Sequence, residues 1–157
     1  MFDEILKNNA ICTTSQTDVP DFASACFSSN YVTKVIGYIK ERAGFVSELW
    51  DQSHFFFKQP VSYAEKNVQK FWKPETAQLM RELIYVLNAI DEFKPEVMEP
   101  VVFAWITEKE YKMGAVMNAF RLSLVGASQG PHLFDIAGMI GKEETLLRLH
   151  RAIEQLK

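Results

Sequence analysis

The chain has 157 residues, enough for one ordinary domain or two small helical subdomains with a buried hydrophobic core. It is 48% hydrophobic and 13% aromatic, which argues against disorder, and its net charge of −3 excludes a surface coated with phosphate-binding residues. The basic excess is local: residues 112–157 hold 6 Lys and Arg against 4 Asp and Glu, whereas residues 1–111 have a net charge of −5.

The N-terminal segment and the two cysteines indicate the cellular compartment. No apolar run approaches the roughly 20 residues that span a bilayer. Met1 to Ala10 is too acidic and too short of apolar residues for a signal peptide. Cys12 and Cys26 lack the short spacing of a zinc or redox site. We therefore expect a soluble cytoplasmic protein with reduced thiols and no membrane partner.

The first part of the chain is irregular and then becomes helical. Residues 1–29 predict short helices and a polar loop. From Tyr31 to Trp50, apolar residues return every three or four positions, which predicts a helix with one buried face. Arg42 lies on the flank of that face, close in sequence to Tyr38 and Phe45, so it can stack on a base or simply cover the two rings.

The sequence of the middle of the chain predicts three helices joined by short loops. Three consecutive aromatic residues, Phe55 to Phe57, do not fit on one helix face. We expect them to fill a gap between packed layers. Ser62 and Glu65 match a capping box, which predicts a helix through Trp72. The starts of the next two helices are set by proline, at Pro74 for one and at Pro95 or Pro100 for the other. We expect three tryptophans in the core because they lie on or near the apolar stripes: Trp50, Trp72 and Trp105.

The last part of the chain predicts a helix, a sharp turn and a second helix. Apolar residues from Met113 to Leu124 have helical spacing, and Arg121 lies beside that stripe. Gly130 can take backbone angles forbidden to other residues, and Pro131 suits a first helical turn. We therefore predict a stiff turn whose following helix, starting near His132, has outward-pointing amides.

These periodicities predict an all-α protein whose helices are joined by short loops. We expect an irregular N-terminal part at 1–29 and a helical part at 30–157. Motifs for chemistry are missing. The three histidines are scattered, and no nucleophile elbow, Walker-type loop or dinucleotide fingerprint occurs, so we expect no catalytic residue and no metal site.

Several motifs recur in one order and resemble the C-terminal end of bacterial glutamyl-tRNA synthetases over residues 30–157. Upstream they are Lys40-Glu41-Arg42, Leu49-Trp50, Phe55-Phe56-Phe57 and Trp72-Lys73-Pro74-Glu75. Downstream they are Arg121 with Leu122, Leu124 and Gly126, then Gly130-Pro131-His132-Leu133-Phe134, then Gly141-Lys142-Glu143-Glu144 with Leu146, Arg148 and Leu149. The resemblance implies an all-helical bundle or cage that binds an anticodon, built of two packed subdomains at 30–110 and 111–157. The alternative boundary between these subdomains lies near residues 91–95.

The resemblance also implies site residues and partners. Contacts to anticodon bases of tRNA-Glu would be made by Arg42, Arg121, Gly130, Pro131 and Leu133, whereas His132 departs from the glycine of many members. The signatures that hold ATP in class I synthetases are missing from this sequence. ATP and Mg²⁺ would therefore bind to a catalytic domain elsewhere in the same polypeptide, and this part would need no cofactor and bind no DNA.

Other interpretations remain open from the residues alone. Arg121 can pair with a carboxylate such as Asp135, and Arg42 with Glu41 or Asp51. The Gly130–Pro131 segment can be a plain connector, and Lys142 to Arg151 a solvated helix face. The alternative functions are a helical scaffold that binds a protein partner in an apolar groove, or a small metal or thiol enzyme.

Overall fold

The computed structural model describes residues 27–40 and 50–156, and seven α-helices lie in these ranges. In chain order they are α1 (Ser29–Ile39), α2 (Glu65–Phe71), α3 (Thr76–Asn88), α4 (Pro95–Glu108), α5 (Met113–Val125), α6 (Leu133–Ile140) and α7 (Lys142–Gln155). A short 3-10 helix, His54–Phe56, precedes α2. The prediction of an all-α fold is confirmed, since the described ranges contain no β-strand.

The chain divides into two compact units, Met1–Lys58 and Gln59–Lys157. The predicted boundaries at 29/30 and 110/111 divide the chain into RNA-binding subdomains, and they stay predictions. The N-terminal helix and loop predicted within residues 1–26 lie outside the described residues.

The first unit is held together by aromatic side chains. Ser28 caps α1 by accepting a hydrogen bond from the Tyr31 amide at 3.1 Å. The Tyr31 hydroxyl donates to the Phe56 carbonyl at 2.9 Å, and the Trp50 ring stacks on Phe57. Phe55, Phe56 and Phe57 are all buried, as expected. Tyr38, by contrast, is exposed on α1.

The second unit is a bundle in which α5 and α7 are central. α7 packs against α3, α5 and α6, and α5 also contacts α2, α4 and α6. Their helical stripes supply the core, because residues three and four positions apart share one helix face. Its fully buried members include Met80, Leu83, Leu87, Met98, Val102, Val116, Phe120, Leu124, Phe134 and Leu149. Within the described residues, no helix is long and apolar enough to cross a membrane.

Two predicted details of the helices are wrong. Ser62 caps nothing: α2 begins at Glu65 with Ala64 as N-cap, and the Ala64 amide donates to the Gly126 carbonyl at 3.0 Å. This tertiary contact places the N-cap two residues after Ser62. Among the tryptophans, only Trp105 is buried, while Trp50 and Trp72 are half-buried. The open choice of start for α4 resolves to Pro95, with Pro100 inside the helix.

Lys142 joins the start of α7 to the end of α3. Its Nζ donates to the Asn88 and Ile90 carbonyls at 2.7 and 2.8 Å, where the C-terminal end of α3 carries partial negative charge. We expect Lys142→Met to lower the free energy of unfolding by about 1 to 2 kcal/mol, measured by urea denaturation. Lys66→Met, at an exposed position on α2, is the control and should change it by less than about 0.5 kcal/mol. Equal effects would contradict a capping role.

Candidate nucleic-acid interface

The loop after α5 is fixed at its first residue. Gly126 ends the helix with φ +79°, and its amide donates to the Leu122 carbonyl at 2.8 Å. A left-handed residue of this kind is a common helix end and favours glycine. Because the Gly126 carbonyl also accepts from Ala64, the loop starts from a position anchored to the segment before α2.

The turn before α6 is built from a glycine and a proline. Gly130 has φ +135°, in the region that favours glycine. Pro131 is buried, and His132 is the N-cap of α6, which begins at Leu133. The prediction that Pro131 occupies the first helical turn is therefore wrong by two positions, because its extended neighbour His132 intervenes. The predicted start of the helix near His132 is confirmed.

Arg121 lies against this turn. Its Nη1 donates to the Pro131 carbonyl at 2.7 Å, across ten residues of sequence. Arg121 is half-buried, and its neighbours in the sequence of α5, Phe120 and Leu122, are buried in the core. The hydrogen bond thus holds the guanidinium plane at the edge of the turn, and a planar guanidinium matches the two acceptors of a base edge.

The turn presents its backbone more than its side chains. Leu133 is 2% exposed and Pro131 is also buried, so neither side chain offers a large apolar surface to a ligand. Ser128, Gln129 and His132 are the exposed residues. What the turn can offer to RNA is therefore rigid backbone groups, polar side chains of the loop and the imidazole of His132.

Four of the five predicted site residues come together. Arg121, Gly130, Pro131 and Leu133 form one continuous site at the junction of α5 and α6. The fifth, Arg42, lies outside the described residues, as do Phe45 and the possible pairing of Arg42 with Glu41. The pairing of Arg121 with Asp135 stays a prediction.

A shallow groove beside the loop was not predicted. Its volume is about 600 Å³, and it lies between residues 64–67 (Ala64, Glu65, Lys66 and Asn67) and residues 127–129 (Ala127, Ser128 and Gln129). The two sides are at least 60 positions apart in sequence, so no local pattern could have placed them together. The groove therefore has polar groups, one acidic side chain and one basic side chain beside the loop.

A buried ion pair on α7 is bonded to the end of α5, and it was not predicted from the sequence. Arg148, predicted on a solvated face, is 1% exposed; its Nε donates to Glu144 at 2.7 Å and its Nη1 to the Leu124 carbonyl at 2.8 Å. Glu144 also accepts from Gln59 at 3.0 Å. The bond to Leu124 holds the last turn of α5, the helix that carries Arg121.

The same network is charged where it approaches the surface. Arg151 donates from Nη1 to the Gln59 side chain. Burial raises the pKa of the Tyr63 phenol, although Arg151 and Arg148 act to lower it.

Among the described residues, no group of three or more His, Cys, Asp or Glu side chains is placed to hold a metal ion.

A protein-family model covers most of the chain. Residues 14–153 match the family model described as the anticodon binding domain. The chain belongs to the anticodon-binding domain family. The resemblance to an anticodon-binding region that the motifs indicate is therefore confirmed.

Relatives of this anticodon-binding domain are glutamate–tRNA ligases. One from Bacteroides thetaiotaomicron is 52% identical over 126 residues, which cover 80% of the chain and 25% of the relative. One from Flavobacterium psychrophilum is 51% identical, over 92% of the chain and 29% of the relative. The chain thus spans less than a third of the length of these relatives.

A solved structure agrees with the sequence relatives. A glutamate tRNA ligase from Elizabethkingia meningosepticum, in complex with its amino acid, is 39% identical with a TM-score of 0.80. The match covers 99% of this chain and 28% of that one. A glutamate–tRNA synthetase from Elizabethkingia anophelis matches with a TM-score of 0.75 and 35% identity. The anticodon-binding domain described above therefore has the helical architecture of this part of those enzymes.

Proposed function

We propose that this chain binds the anticodon loop of tRNA-Glu and serves as the anticodon-recognition part of a glutamate–tRNA ligase. The observation that carries the proposal is the hydrogen bond from Arg121 to the Pro131 carbonyl. It joins a planar donor to a rigid turn in one site. Family membership and the ligase relatives support the same conclusion.

The chemistry of an anticodon loop suits this site. Its bases are unstacked, and their hydrogen-bonding edges are open to a protein. Arg121 supplies a planar guanidinium, and the Gly130 to Leu133 turn supplies fixed backbone groups. Because the Leu133 side chain is buried, its contact with RNA is made by the backbone. Lys66 and Gln129 in the adjacent groove are available for the sugar-phosphate backbone of the loop.

The complete enzyme, in this proposal, joins glutamate to its tRNA in the cytoplasm. ATP and Mg²⁺ bind in a catalytic domain of the same polypeptide, and the present residues do no chemistry. Their contribution is to raise the affinity and the specificity for the cognate tRNA. Arg42, predicted from the resemblance as a second base contact, belongs to the same proposal.

Arg121→Ala tests this function. One good bidentate contact between arginine and a base is worth about 1 to 3 kcal/mol of discrimination. We therefore expect the variant to bind a stem-loop with the glutamate anticodon roughly 5- to 150-fold more weakly, and a scrambled stem-loop with little change. The measurement is a fluorescence titration with both stem-loops at two salt concentrations.

Two controls separate specific recognition from charge and from folding. Arg121→Lys keeps the positive charge but loses the planar fork, so it should lose discrimination and keep the salt dependence. Circular dichroism of each variant checks that the fold is intact. Equal losses for both stem-loops would reduce Arg121 to a general electrostatic role. Binding that held or tightened as salt rose would favour the alternative of a protein-binding scaffold.

A further inference from the structure

His132 is the one exposed side chain in the centre of the turn. Of residues 131–133, the two on either side are buried, whereas the imidazole of His132 is 53% exposed. It occupies the N-cap of α6 but makes no side-chain hydrogen bond to the helix end. The side chain therefore does not serve the role that N-cap residues usually have.

Two side chains lie next to the ring. Its Nε2 is 3.6 Å from a carboxylate oxygen of Glu99 on α4, and its centroid is 5.8 Å from that of Phe134 on α6. The contact with Glu99 is too long for a hydrogen bond, so Glu99 flanks the ring without bonding to it. One side of the ring thus faces protein while another side faces solvent.

The surroundings favour a base over a phosphate as the ligand. Glu99 is about one-third exposed beside the ring, and its carboxylate repels a phosphate. The same carboxylate can accept from the exocyclic amino group of a base, and a flat imidazole provides a stacking face for an unstacked base. A nucleobase satisfies both groups at once.

From this geometry we infer that His132, flanked by Glu99, is a stacking platform for one base of the anticodon loop. This inference rests on the proposed function, since it concerns the same turn. It adds a contact that no other member of the predicted site supplies. Arg121 reads a base edge, whereas His132 supports a base face.

A double-mutant cycle tests the platform. Wild-type protein and His132→Ala are titrated with the matched stem-loop and with three stem-loops, each carrying an abasic site at one anticodon position. Stacking of one base on an aromatic side chain corresponds to roughly a 5- to 150-fold change in affinity on replacement by alanine. We expect that loss with the matched loop, and almost none with the loop that lacks the contacted base.

Two variants control for other effects. His132→Phe keeps a flat ring and should retain most of the affinity, with the same coupling to one abasic position. His150→Ala removes an exposed histidine from α7 and should leave every titration unchanged. Glu99→Gln should reduce the coupling between His132 and the base; an unchanged coupling would remove Glu99 from the inference.

The outcomes separate this inference from the proposed function. If His132→Ala weakens all four loops by one factor, or weakens none, the platform is refuted. In that case a retained preference of the wild type for the matched loop over a scrambled one leaves the proposed function standing. If the wild type lacks that preference, anticodon recognition itself fails.

Discussion

Replacing Arg148 with alanine should lower the free energy of unfolding by about 3 to 5 kcal/mol, the cost of breaking a buried ion pair by removing one partner. The change leaves Glu144 with its charge in a site only 7% exposed and removes the donor to the Leu124 carbonyl. Urea denaturation followed by circular dichroism measures the loss. The affected helix, α5, also carries Arg121, so binding of the matched stem-loop should weaken as the variant unfolds.

Two further variants show whether burial is the cause. Arg151→Ala removes an exposed arginine from the outer end of the same network and should cost less than about 1 kcal/mol. Removing both charges, with Arg148→Met and Glu144→Leu together, should cost much less than Arg148→Ala, because no uncompensated charge is left inside. A loss below about 1 kcal/mol for Arg148→Ala would show that the pair is solvated.

The sequence predicted the helices well because helix periodicity is a local property. Phe120 and Leu124 of α5 belong to the predicted apolar stripe from Met113 to Leu124, and each is fully buried. The motifs named Arg121 and the turn together, and the hydrogen bond from Arg121 to the Pro131 carbonyl brings them into contact; their contact with RNA stays a prediction. These successes depend on spacings of three or four residues and on family motifs, both of which can be read without knowledge of tertiary contacts.

The missed features all depend on contacts between distant residues. Glu144 and Arg148 are four positions apart, a spacing typical of exposed helix pairs, and only packing against Leu124 and Gln59 shows that they are buried. Ser62 has a capping-box pattern, but the contact between Ala64 and Gly126 places the helix start elsewhere. Likewise, the proximity of Glu99 to His132 crosses 33 positions of sequence.

Gly126→Ala should lower the free energy of unfolding by about 2 to 4 kcal/mol, from two separate causes. An alanine at φ +79° costs about 1 to 2 kcal/mol, because Cβ crowds the carbonyl oxygen in the left-handed region. In addition, a Cβ at this position would lie 2.8 Å from the Ser62 carbonyl oxygen and 3.0 Å from Pro60 Cβ. These are backbone and ring atoms, so the crowding cannot be relieved by turning a flexible side chain.

The same substitution in the same helix should have the opposite sign at Gly114. A Cβ there meets only the Asn118 amide nitrogen at 4.0 Å, and its backbone is helical, so Gly114→Ala should stabilise the protein by about 0.4 to 1 kcal/mol. Thermal and urea unfolding of the two variants therefore compare one added methyl group in two environments.

Because Gly126 starts the loop that leads to Gly130 and Pro131, its alanine variant should also bind the matched stem-loop more weakly under conditions where it stays folded. Gly114→Ala should bind that loop like the wild type. If the two variants were equally stable, the close approach of Gly126 to Ser62 would be refuted, and with it the anchoring of the turn that places Arg121 and Pro131 together.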